Sequence, residues 1–134
     1  MAIDRSSKLL FVGIVTERND AEGRVVVSRP DRDDQTSAEL DVLQRGTHQT
    51  KEYWMPAVGD QVVCLHLPNE GGKGSGAGYV LGAIYSDKDR SVEDDADVRS
   101  TVFPDGSYVR YENGNIHIHA EGDVIITGKN IRLN

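Results

Sequence analysis

Two histidines, His117 and His119, stand one residue apart in "NIHIHA". A pair at this spacing is a metal-ligand candidate. The same spacing supports another reading. In a strand, successive side chains point to opposite faces. His117 and His119 then share one face, and Ile116 and Ile118 share the other. If the isoleucines face a dry axis, the histidines face water. The apolar pairs Val124 and Ile126, then Ile131 and Leu133, extend beyond the histidines and agree with this second reading.

Other residues with chemical potential are less well grouped. Cys64 and His66 share a strand face in "VVCLHL", but two ligands make no zinc site. The one cysteine excludes an internal disulfide framework, and on an apolar strand it reads as a buried, inert thiol. "NEGGKGSGAG" (69–78) has the glycines of a phosphate loop. A Walker motif, however, places Ser or Thr after its Gly-Lys, and Lys73 is followed by Gly74. It reads as a barrel loop. The acidic run Asp87, Asp89, Glu93, Asp94, Asp95 and Asp97 lacks the glycine and distal Glu of a calcium loop. No nucleophile, base and orienting group fall together. The expectation is a protein that is not an enzyme and has no cofactor, with a metal at His117 and His119 as the alternative.

The surrounding chain has 134 residues, 37% hydrophobic and 28% charged, with a net charge of −7. Phosphate backbones need clustered Lys and Arg, so nucleic acid is not expected as the main partner. No apolar run approaches the roughly 20 residues that span a bilayer. The N-terminal "MAIDRSSKLLFVGIV" shows no signal-peptide pattern.

The elements that must position these residues are strands. Residues 8–18 and 24–30 are β-branched and apolar around the turn "NDAEG", which predicts a hairpin. "DRDDQ" (31–35) reads as a polar loop. Residues 37–45 alternate weakly, 61–68 strongly, and 79–86 close the block. A long irregular connection (46–56) carries Tyr53 and Trp54, and Gly59 in "AVGDQ" is able to take a positive φ. Five short strands at this spacing suit a small barrel, whose closure removes exposed edges. The charged stretch after residue 86 reads as a linker. "PDGS" (104–107) and "NGN" (113–115) are hairpin turns, and short strands are expected at 108–112, 115–119, 123–127 and 130–134.

The last strands each offer two or three apolar side chains. Burying one contributes about 1.5–3 kcal/mol, while ordering each residue costs about 1–2 kcal/mol of backbone entropy. One copy of such a tail loses that contest. Several copies wound about a shared axis do not, and Gly-Asp and Gly-Lys corners suit an intertwined β-helix.

An ordered set of motifs is more specific. "GIV", "GRVVV", "YWMPAVGDQV", "GYVLGAIYS" and "VFPDGSYVRYENG" occur in that order between residues 9 and 134. This resembles the phage baseplate assembly protein V family, the central spike of contractile tails, related to the spikes of type VI secretion systems. The resemblance implies an all-β chain: a five-stranded OB-type barrel (9–86) after an N-terminal extension (1–8), an acidic linker (87–97) and a short intertwined trimeric β-helix (98–134). It implies Trp54, Pro56, Gly59, Asp60, Gly82 and Tyr85 as the barrel signature, and Pro104 to Gly106 as the hairpin opening the spike. Some members carry a lysozyme domain between barrel and spike, for which this chain has no room. Others hold iron at a His-x-His apex.

The expected function is then a structural spike of a tail baseplate, a homotrimer docked below a hub protein and touching the host envelope transiently. It would assemble in the host cytoplasm and reside in the virion. Its trimer core would be Ile116, Ile118, Val124, Ile126, Ile131 and Leu133. Because "IRLN" is still in strand alternation, a separate tip protein, such as a conical PAAR-repeat protein, is expected to cap it. The competing readings are a stand-alone OB-fold module for oligonucleotides or oligosaccharides and a metalloenzyme using His117 and His119. Acidic charge and few aromatics oppose the former.

Overall fold

A computed structural model describes residues 9–68 and 77–134. The N-terminal extension and most of the glycine-rich loop lie outside the described residues. The chain forms two compact units, Met1–Arg90 and Ser91–Asn134.

The first unit is a closed barrel. Strands β1 (Leu10–Asn19), β2 (Arg24–Arg29), β4 (Leu40–Val42), β5 (Gln61–Leu67) and β6 (Ala77–Ile84) run in the order β1-β5-β6-β4-β2, and β2 pairs back onto β1. All contacts are antiparallel except β4 on β6. This is the strand order of an OB-type barrel. A short β3 (Gln35–Thr36) extends β2 at the side, and the one helical element among the described residues is a 3-10 turn at Pro30–Arg32. β1 is long enough to serve both halves of the barrel. Its first residues pair with β5 and its last with β2, and the register shifts between Val15 and Glu17 where the strand bends.

Alternation fills the interior. Phe11, Val15, Val25, Val27, Leu40, Val42, Val62, Cys64 and Val80 form one buried cluster, with Met55 packed against it. β-branched side chains fit such a pleated, enclosed surface well. Arg29 is also buried; its guanidinium lies 3.7 Å from the centre of the Phe11 ring and pairs with Asp31 at 3.3 Å.

The second unit contains one antiparallel sheet: β7 (Arg99–Val102), β8 (Tyr108–Glu112) and β9 (Asn115–His119), in that order. β8 and β9 are joined by Asn113 and Gly114 with φ of 51° and 82°, the type I′ geometry that Asn-Gly favours. The strands expected at 123–127 and 130–134 are not formed: no strand follows His119 within this chain. A strand exists only against a partner, and one copy supplies none there.

Candidate functional site

The register of the second sheet sorts its side chains. Val109 lies opposite Ile118, Tyr111 opposite Ile116, and Thr101 opposite Val109, so these five share one face. The other face carries Tyr108, Arg110 and Glu112 opposite His119, His117 and Asn115. The apolar face is open. Ile116 is 70% exposed and Ile118 61%. Val124, Ile126, Ile131 and Leu133 follow outside any strand and are exposed too, as is Ile125 between the first pair. Among the described residues of this unit, Val98 is the only buried apolar side chain.

The polar face is already cross-linked. Arg110 donates to both carboxylate oxygens of Glu93 at 2.9 and 3.0 Å, and also to Glu112. Those hydrogen bonds hold the Glu93 carboxyl below its usual pKa and the Arg110 guanidinium above its own. The second half of the acidic stretch 87–97 is thereby tied to β8. The backbone N–H of Ser107, 2.9 Å from Asp105 Oδ1, lowers the Asp105 carboxyl in the hairpin turn.

His119 stacks on Tyr108 with ring centres 5.2 Å apart, and its Nε2 lies 3.0 Å from Glu121 Oε1. His117 stands across the strand pair from Arg110. The two histidines therefore share the face that carries a guanidinium, away from Ile116 and Ile118. Among the described residues of one chain, no three His, Cys, Asp or Glu side chains come together as a metal set.

In the barrel, the signature residues hold one loop in place. Trp54 Nε1 donates to the Leu43 carbonyl at 2.8 Å, and the Gln44 amide bonds both the N–H and the carbonyl of Trp54 at 2.9 and 2.8 Å. Pro56 is fully buried. Gly59 takes φ +100° and donates to the Val15 carbonyl at 2.8 Å, while Asp60 Oδ2 accepts from the Ala57 N–H at 2.8 Å. Gly82 pairs with Val63, and Tyr85 is exposed past the end of β6. Cys64 is buried, and loss of water pushes its thiol up to about 11, with the Arg29 charge acting weakly the other way. Burial thus disfavours the reactive thiolate.

Sequence reasoning missed the Arg110–Glu93 staple and the Tyr108–His119 stack. The stack follows from the β8–β9 register that the Asn113-Gly114 turn sets, whereas the staple ties Glu93, outside any strand, to β8.

Over 75 residues the chain is 39% identical to the spike protein of Escherichia phage P2. The match takes in 54% of this chain and 34% of that protein, about a third of that relative's length. No protein-family model matches the chain.

Proposed function

We propose that this chain is a structural, non-catalytic component of a phage tail spike, and that it works as a homotrimer. The observation that carries the reading is the one-sided apolar face of β7–β9, with Val109, Tyr111, Ile116 and Ile118 open to water in a unit that buries almost nothing else. Exposed aliphatic patches of this kind mark association surfaces. Three copies that turn these faces to one axis remove them from water together and supply the strand partners that residues 123–127 and 130–134 lack. The similarity to the phage P2 spike protein gives the setting.

In this reading the second unit forms an intertwined β-helix, as in the baseplate assembly protein V family. The barrel docks to a hub protein. A separate tip protein covers the exposed Ile131 and Leu133, and the host envelope is met only transiently. The protein is assembled in the host cytoplasm and carried in the virion tail. The outward histidines carry no metal.

Light scattering on the purified chain tests the reading. A mass three times that of the single chain supports it. A monomer that binds single-stranded DNA would replace it with the OB-fold binding module.

A further inference from the structure

The barrel is closed, but one stretch of it is not flanked on both sides. β4 runs beside β6 only at Tyr79 and Val80, and its last contact is the Leu43 N–H on the Val80 carbonyl at 3.0 Å. Residues 81–84 continue as strand against Val63, Val62 and Gln61 of β5. On their far edge no strand stands among the described residues. This half of β6 is also apolar and open: Leu81, Ala83 and Ile84 are exposed, and Tyr85 follows at 64% exposure. An unpaired, exposed, apolar edge is a template for another strand.

Beside that edge lies an open cleft of about 500 Å³, lined by Asp60, Gln61, Ala83, Ile84, Tyr85 and Asp89. Its lining combines apolar Ala83, Ile84 and Tyr85 with the two carboxylates of Asp60 and Asp89 and no cation. Asp60 is fixed by its bond from Ala57. Asp89 is fixed through its backbone, with Ser86 Oγ accepting from its N–H at 3.1 Å and its carbonyl accepting from the Ser86 N–H at 2.9 Å. The residue is exposed.

We propose that residues 81–84 of β6 accept an extended segment of a partner protein by strand addition, and that the segment carries lysine or arginine beside apolar residues. Main-chain bonding supplies affinity in this mode, and pockets beside the edge select side chains. Here the apolar lining takes an aliphatic stem and the carboxylates take its cationic head. A chain of net charge −7 disfavours an acidic partner at the same place. Under the spike reading that partner is the hub protein, an assignment that rests on the reading above; the edge itself does not.

The probe is a short labelled peptide of alternating valine and lysine, titrated into the full chain and followed by fluorescence anisotropy. Saturable binding is expected, weakened by about tenfold or more in Asp89→Lys, while a valine–glutamate peptide binds Asp89→Lys better than wild type. Ile84→Glu should weaken the lysine peptide's apolar contact. The proposal is overturned if the lysine peptide does not bind, or binds wild type and Asp89→Lys alike. It is also overturned if the two substitutions alter only the mass of the chain's own oligomer, since the edge then meets a second copy. Light scattering on the same samples separates this outcome from failure of the trimer.

Discussion

The same residue types have opposite fates in the two units. In the barrel, Val15, Val25, Val27, Val62 and Val80 are essentially sealed from water. In the second unit, Ile116, Ile118, Val124, Ile125 and Ile126 are mostly exposed. Both sets sit in short, alternating stretches. What differs is closure. β1 returns to β2 and β5 at once, so each inward valine faces another strand of the same chain. β7, β8 and β9 form a sheet with nothing across its apolar face in the same unit. Alternation therefore states which face must be dry, and topology states whether one chain can dry it. The first unit closes over its own core, and the second leaves its apolar face open to water.

The sharpest way to break that comparison is to put one charge into each apolar set. In the proposed trimer, Ile118→Asp places several carboxylates near one axis, where an unpaired buried charge is very costly. The chain should fall to single-chain mass by light scattering while Trp54 fluorescence, which reports only on the barrel, stays native. Val62→Asp should do the reverse in kind: the barrel unfolds at all temperatures, because Val62 has no exposed surface to relax into. A trimer that survives Ile118→Asp with unchanged melting would show that Ile118 is not at the axis.

Next in size is dilution. A unit held by other copies melts at a temperature that depends on protein concentration, and a self-contained one does not. Circular dichroism at two concentrations about a hundredfold apart should show a concentration-dependent transition for the tail. The Trp54 transition should not move. If both move together, the barrel too is stabilised by association.

The fold was legible wherever alternation and turn chemistry spoke together. The β1–β2 hairpin around "NDAEG", the β5 strand "QVVCLHL" and the I′ turn at Asn113-Gly114 appear as expected. β4 is shorter than residues 37–45 promised, because only Leu40 and Val42 point inward and Ser37 is spent elsewhere, its Oγ accepting from the Val27 N–H at 3.0 Å. β3 was invisible: Gln35 and Thr36 carry no apolar signal and are strand only through β2. On the candidate site, the apolar face was legible from Ile116 and Ile118. The Glu93–Arg110 staple was not, because it joins residues from an apparent linker to a strand, a pairing no local period encodes.

A smaller effect sharpens the internal character of the barrel. Gly59 sits at φ +100° with open space where a Cβ would stand. Gly59→Ala therefore meets no clash and costs only backbone strain, about 1–2 kcal/mol. The Trp54 transition should drop by roughly 5–15 °C with the tail's association unchanged. A shift in oligomeric mass would mean that the 57–60 turn also touches another copy.

The smallest expected difference is in pH, and it has opposite signs in the two units. Glu93 is held below its usual pKa chiefly by the Arg110 hydrogen bonds, and Asp105 chiefly by the Ser107 N–H. A carboxyl with a lowered folded pKa stabilises the fold above the ordinary carboxylate value of about 4, and that contribution is lost as pH falls through the folded value. The second unit should therefore loosen first on the acid side, and Glu93→Gln should flatten part of that loss. Cys64 runs the other way. Its thiol is raised from 9.0 to about 11 by burial, so the folded barrel keeps the proton that the unfolded chain gives up. That contribution is fully present below pH 9 and declines as pH rises toward 11. Cys64→Ala should lower the barrel's melting at neutral pH through the lost packing, yet narrow its further fall between pH 9 and 11, read by Trp54 fluorescence. If the alkaline slope of Cys64→Ala matches wild type, the thiol is not what limits the barrel there, and the pH contrast between the units rests on the acid side alone.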